Sequence, residues 1–168
     1  MYLTGEAYFK VAKNTEHPFV VTAGELEVLV TGTTFGVRAY KDEKDIQTTL
    51  ESGQVTVRVE GKSVKLVPNK QVLFNKSTMG LEVRDVDVDL YLAWADGRLV
   101  YDNCPLEKIL TDLGRWYNID VFYSRDELRS YQFSLNMKKH EEFTQVLELI
   151  GKTGEVQFEI KDNTVIVK

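Results

Sequence analysis

The feature that most constrains this chain is a change of hydrophobic period near residue 92. Before it, apolar and polar residues alternate. Leu26, Val28 and Val30 oppose Glu25 and Glu27, and Val55, Val57 and Val59 oppose Gln54, Thr56, Arg58 and Glu60. A period of two is the side-chain repeat of a pleated strand with one buried face. After it, Leu106, Ile109, Leu110 and Leu113 fall at i, i+3, i+4 and i+7, and Phe143, Val146, Leu147 and Ile150 repeat that spacing. This is the apolar stripe of an amphipathic helix. One layer cannot satisfy both periods, and 168 residues hold two small domains. The expected architecture is an all-β domain over residues 1–88 and a small α+β domain over residues 92–168, joined through Asp85 to Ala95.

Val, Ile and Thr fill 26 of the first 90 positions, and branched side chains favour the pleated backbone. Turn residues recur every eight to twelve positions, at Ala23-Gly24, Thr31-Gly32, Ser52-Gly53, Glu60-Gly61, Pro68-Asn69 and Met79-Gly80. Such spacing predicts a sandwich, a roll or a solenoid-like fold. In the second half each helical stripe is flanked by strand patterns. Leu99 to Tyr101 and Ile119 to Tyr123 bracket the first; Phe133 to Met137 and Val156 to Ile160 bracket the second; Thr164 to Val167 closes the chain. Pro105 is expected at a first helical position, and Glu141 and Glu142 in the first turn of the second helix, with Gly151 or Gly154 to stop it. At an offset of 37, Ile109 matches Val146, Leu113 matches Ile150, Gly114 matches Gly151 and Ile119 matches Val156. The glycine pair and its continuation into a strand argue for a duplicated βαβ unit, giving βαβ-βαβ-β.

Charge excludes one class of partner. The 21 basic and 26 acidic residues give a net charge of −5, shared evenly by the two halves, so no clustered positive field exists for a nucleic-acid backbone. The longest uncharged run, Val28 to Val37, is far short of the ~20 apolar residues of a membrane helix. Met1 to Phe9 has neither the basic nor the apolar region of a signal peptide, so a soluble body is expected. The single Cys104 excludes an internal disulfide and reads as a small buried thiol at an element boundary. His17 and His140 read as surface residues. Asp85, Asp87 and Asp89 would stand ~6.6–6.8 Å apart along a strand, too far to share one calcium ion, and read as a solvated linker face. Asn75-Lys76-Ser77 fits a glycosylation sequon and carries little weight. The glycine-rich phosphate loops, the G-x-S-x-G elbow, H-E-x-x-H and C-x-x-C are all missing, so no catalytic, cofactor-binding or metal-binding residue is assigned. Trp94 and Trp116 read as packing residues. Tyr117, at a helix exit, is either packed or an exposed anchor for a protein partner.

Several segments taken together carry a resemblance. They are Gly5-Glu6-Ala7-Tyr8-Phe9, His17-Pro18-Phe19-Val20-Val21, Gly32-Thr33-Thr34-Phe35-Gly36-Val37 running to Tyr40, Leu50 to Val57, and Leu66-Val67-Pro68-Asn69. Trp94 to Leu99, Asn103-Cys104-Pro105-Leu106-Glu107 and Arg115 to Ile119 continue them. In this order the chain resembles the FecR family of cell-surface-signalling regulators, in the form common in gut Bacteroidetes. The second half resembles the short amino-terminal domain of secretins and TonB receptors. Asn69 departs from the family's usual glycine, and asparagine tolerates the left-handed backbone such a turn needs. The family's cytoplasmic anti-sigma segment and membrane helix are not among these residues, so an excised periplasmic portion is expected.

The resemblance implies a periplasmic location, with the intact protein anchored in the inner membrane by a helix outside these residues. It implies contact with the periplasmic signalling domain of an outer-membrane TonB-dependent transporter. It also implies control of an extracytoplasmic-function sigma factor through the cytoplasmic segment, with no membrane contact by this portion. For the transporter contact, strand addition at the last strand, Thr164, Val165, Ile166 and Val167, is expected if that strand lies at a sheet edge, with Tyr117 as a further contact. The other arrangement is pairing on both sides. Two other functions stay open: a β-type module sensing a sugar or siderophore, and a carbohydrate-active or metal-assisted hydrolase.

Overall fold

The alternating half closes into nine strands: β1 (Gly5–Val11), β2 (Phe19–Ala23), β3 (Leu26–Val30), β4 (Thr33–Ala39), β5 (Asp45–Ser52), β6 (Val55–Val59), β7 (Lys62–Leu66), β8 (Lys70–Asn75) and β9 (Gly80–Asp85). The computed structural model describes residues 1–138 and 142–168; His140 and Glu141 fall outside them. All strand pairs in this half are antiparallel, in a five-stranded sheet ordered β1-β4-β5-β8-β9 and a four-stranded sheet ordered β2-β3-β6-β7. Val21, Leu26, Val28, Val55 and Val57 from one sheet share a core with Phe35, Leu50, Val72 and Phe74 from the other. Of the three expected β architectures, this is the sandwich. Asn69 takes a positive φ of 65°, so the turn keeps its left-handed residue without glycine.

The stretch from Asp85 to Ala95 is more than a linker. Helix α1 (Asp89–Leu92) and a 3-10 turn (Ala93–Asp96) lie across the outer face of the five-stranded sheet. Tyr8, Gly36, Thr49, Gln71 and Arg84 form one row of cross-strand partners over β1, β4, β5, β8 and β9. The Arg84 guanidinium donates to the Tyr91 hydroxyl at 2.9 Å and to Gln71 Oε1 at 2.6 Å, while Gln71 Nε2 donates to Thr49 Oγ1 at 2.7 Å. Leu92 is seated on Gly36, where a Cβ would stand 2.3 Å from Leu92 Cδ2. A side chain at position 36 would occupy the space that Leu92 fills.

The chain divides into Met1–Asp96 and Gly97–Lys168, so residues 92–96 go with the sandwich. The second unit runs β10 (Arg98–Pro105), α2 (Leu106–Tyr117), β11 (Asp120–Tyr123), a 3-10 turn (Asp126–Ser130), β12 (Gln132–Lys138), α3 (Thr144–Gly151), β13 (Phe158–Lys161) and β14 (Thr164–Val167). β10 pairs with β12, and β11, β14 and β13 form a three-stranded sheet. Ile109, Leu110, Leu113, Val146, Leu147 and Ile150 are all buried, so both helical stripes face the core. Pro105 precedes the first helical residue instead of occupying it, with extended ψ at 138°. Asn118, left-handed at φ 53°, closes α2 by donating its N–H to the Gly114 carbonyl.

The repeated glycines both face a carbonyl of the chain leaving their helix, but only at Gly114 is the approach tight enough to favour glycine. A Cβ at Gly114 would lie 3.1 Å from the Ile119 carbonyl oxygen, and one at Gly151 would lie 3.8 Å from the Val156 carbonyl oxygen. In both units the chain leaving the helix doubles back over its last turn. The copies then diverge: β11 runs parallel to β14, whereas β13 pairs with it antiparallel.

Candidate interaction surface

The expectation of strand addition at the carboxy-terminal strand does not survive the topology. β14 is the middle strand, pairing Asp120↔Thr164 through Tyr123↔Val167 on one side and Phe158↔Val167 through Lys161↔Thr164 on the other. Its backbone groups are consumed, and Val165 and Val167 are fully buried. The end of a chain need not be the edge of a sheet: the crossover from β11 through β12 and α3 returns the chain beside β11. Tyr117 is half-buried, its ring 6.0 Å from that of Phe143 in a tilted pair, and burial pushes its phenol pKa up.

The sheet has two faces because side chains alternate. Val121, Tyr123, Val165, Val167 and Phe158 face the core. Asp120, Phe122, Thr164, Ile166, Glu159 and Lys161 take the opposite face, with Ile166 as the cross-strand partner of both Phe122 and Glu159. Phe122 is 68% exposed. Sequence reasoning missed it, although the signal was present: in the run Val121-Phe122-Tyr123, burying the outer two residues turns the middle one out. Across Ile166 from it, Glu159 accepts from Lys161 at 2.7 Å and from Lys168. Hydrogen bonds from Lys161 and then Lys168, with their charges, hold its carboxyl down to about 2. On the core side, Arg129 lies 4.1 Å over the Tyr123 ring, and burial pushes that phenol up to about 12.

Residues weighed for chemistry have structural occupations. Asp85 pairs with Lys70 at 2.6 Å, and Asp87 accepts from the Asp89 N–H at 3.1 Å at the start of α1. Among the described residues no three His, Cys, Asp or Glu side chains converge on a metal position. His17 is exposed, its N–H on Asn14 Oδ1. Half-burial raises the Cys104 thiol pKa. Asn75 donates to Asp45 and accepts from Ser77 and Thr78. Buried Asp112 anchors the Tyr101 hydroxyl at 3.0 Å and the Lys108 ammonium. Trp94 donates its indole N–H to the Tyr91 carbonyl, and Trp116 packs against the second core.

A hollow of about 530 Å³ lies against α3, lined by Met137 of β12, by Glu142 and Lys152 flanking the helix, and by Gln145, Glu148 and Leu149 of its solvated face. In the sandwich the exposed Tyr2 lies beside β2 and the exposed Val83 on β9, in different sheets, so they form no shared platform.

Two family models match. Residues 2–56 fit the model described as FecR protein, and residues 98–167 fit FecR, C-terminal. Two crystal structures of a candidate anti-sigma factor from Parabacteroides distasonis, at 1.65 and 2.50 Å resolution, share the fold. They superpose with TM-scores of 0.84 and 0.83 at 22% identity, over 99% of this chain and 78% of theirs. No curated protein matches in sequence.

Proposed function

Because this chain belongs to the FecR family of regulators, we propose that it is the periplasmic signalling region of a membrane-anchored anti-sigma regulator. In this reading it relays ligand occupancy of an outer-membrane TonB-dependent transporter to an extracytoplasmic-function sigma factor, and it does so by contact, transforming no substrate. The membrane helix and the sigma-binding segment belong to parts of the regulator beyond these residues. The observation that carries the reading is the succession of both FecR modules in one chain, one on each unit. The shared fold of the Parabacteroides distasonis structures, which extends over both units, supports it.

A relay of this kind needs an interface. A specific transient contact buries roughly 1,000 Å² or more, and micromolar affinity corresponds to about −8 kcal/mol. The exposed Phe122 beside Ile166, ringed by Asp120, Glu159 and Lys161, has the make-up of a small contact centre with a polar rim. The test is calorimetric titration with the periplasmic signalling domains of the TonB-dependent transporters of the source organism. Saturable one-to-one binding, weakened by Phe122→Ser, is expected; absence of binding refutes the proposal.

A further inference from the structure

The strap that crosses the outer face of the five-stranded sheet, Asp87 to Asp96, is held differently from the strands beneath it. Among the described residues, the last backbone bond before it that reaches the sheet is that of the Val86 N–H to the Asn69 carbonyl, at 3.0 Å. Beyond it, Leu90, Tyr91, Leu92 and Ala93 donate to the carbonyls of Asp87, Val88, Val88 and Asp89, all inside the strap. Side chains do the anchoring: the Tyr91 hydroxyl on Arg84, and Leu92 over Gly36. Leu92 and Ala93 are buried, yet they belong to neither hydrophobic core. A helix of four residues has no stability of its own, so α1 persists through these anchors and melts without them.

The surface underneath tolerates uncovering. Thr49 and Gln71 are buried and polar, and their partners belong to the sheet itself. Gln71 gives its amide N–H to Thr49 and accepts the Arg84 Nε–H at 2.9 Å, bonds that survive the strap's departure. Lifting the strap therefore wets a satisfied polar row and bares Leu92 and Ala93, while Phe35, Leu50, Val72 and Phe74 stay covered on the core side. We infer that Asp87 to Asp96 is a latch, a segment that leaves the sheet as one unit while both sheets of the sandwich stay folded. Closed, α1 and the 3-10 turn, four residues each, together rise about 14 Å. Open, the ten residues from Asp87 to Asp96 span up to about 33–36 Å. Opening exchanges a short strap for a free tether ahead of Gly97, the first residue of the second unit. The inference does not depend on the transporter contact proposed above.

The test is amide hydrogen exchange by NMR on the intact chain, in rising urea below the unfolding transition. The Leu90 to Ala93 amides exchange at least about 100-fold faster than those of β5, a strand paired on both sides. Urea accelerates them little, because their opening exposes few residues. Leu92→Asp holds the latch open, since a carboxylate cannot stay buried over Gly36 without a partner. In that variant the Leu90 to Ala93 amides lose their protection, while β5 keeps at least about 1,000-fold protection. Strap amides that share the rate and the urea dependence of β5 overturn the inference. So does a Leu92→Asp chain whose β5 amides lose protection together with the strap, because no sandwich then survives without it. Continued protection of Leu90 to Ala93 in that variant overturns it as well, since Leu92 is then no anchor.

Discussion

Gly36→Ala, set against Leu92→Ala, tests the seat beneath α1. The added Cβ would stand 2.3 Å from Leu92 Cδ2, whereas carbon atoms rest at about 3.5–4.0 Å, so Leu92 must retreat by more than an ångström. Overpacking of this kind costs about 1–3 kcal/mol, partly offset by about 0.5 kcal/mol because alanine restricts the unfolded chain. Gly36 has no positive φ, so backbone strain adds nothing. Leu92→Ala empties the seat from above at about 2–4 kcal/mol. In the double variant the new methyl occupies part of the vacated space. Its loss should therefore fall short of the summed single losses by at least about 1 kcal/mol. Trp94 is the one tryptophan of the first unit, so in a Trp116→Phe background its fluorescence reports that unit alone. At about 4–8 °C per kcal/mol for a unit of this size, Gly36→Ala alone should lower the Tm by about 2–20 °C. Additivity within about 0.5 kcal/mol, or an unchanged Tm for Gly36→Ala, would show that Leu92 moves aside freely and that the seat is not a lock.

Two further outcomes follow from local geometry. Asn118→Ala places a Cβ residue without a polar side chain at φ 53° and should cost about 1–2 kcal/mol in urea unfolding, whereas Asn118→Gly should cost nothing; equal losses would remove the left-handed cap as the cause. Glu159 has a folded pKa of about 2, below its unfolded value, so its contribution to stability is full above about pH 4.5 and is lost as pH falls toward 2. An NMR titration of its carboxyl carbon should show the depressed midpoint, and Lys161→Gln should raise it; a midpoint in the ordinary carboxylate range refutes the shared clamp.

The burial of each strand was legible because alternation dictates it: Val55, Val57 and Val59 are inside as their spacing requires. Which strands are neighbours was not, since alternation fixes a face and says nothing of pairing; β4 joins β1 to β5 and leaves β3, its neighbour in sequence, in the other sheet. The helical stripes were legible at Leu106, Ile109, Leu110, Leu113, Val146, Leu147 and Ile150, whereas Phe143 and Glu142 precede α3 instead of opening it. Helix α1 escaped because four residues make barely one turn and show no period. The last strand escaped because its position depends on a parallel pairing with residues about forty positions upstream, and such pairing leaves no local mark. Phe122 becomes visible only once that pairing is known.

The strap over the five-stranded sheet also sets a load path. The chain leaves the sandwich from β9, an outermost strand, and a pull applied there directly would peel it from β8 one bond after another. Because Leu92 is pinned above β4, tension arriving at Gly97 is first borne three strands further in, by a strand flanked on both sides. The sandwich is thereby built to take traction as shear instead of unzipping from its rim.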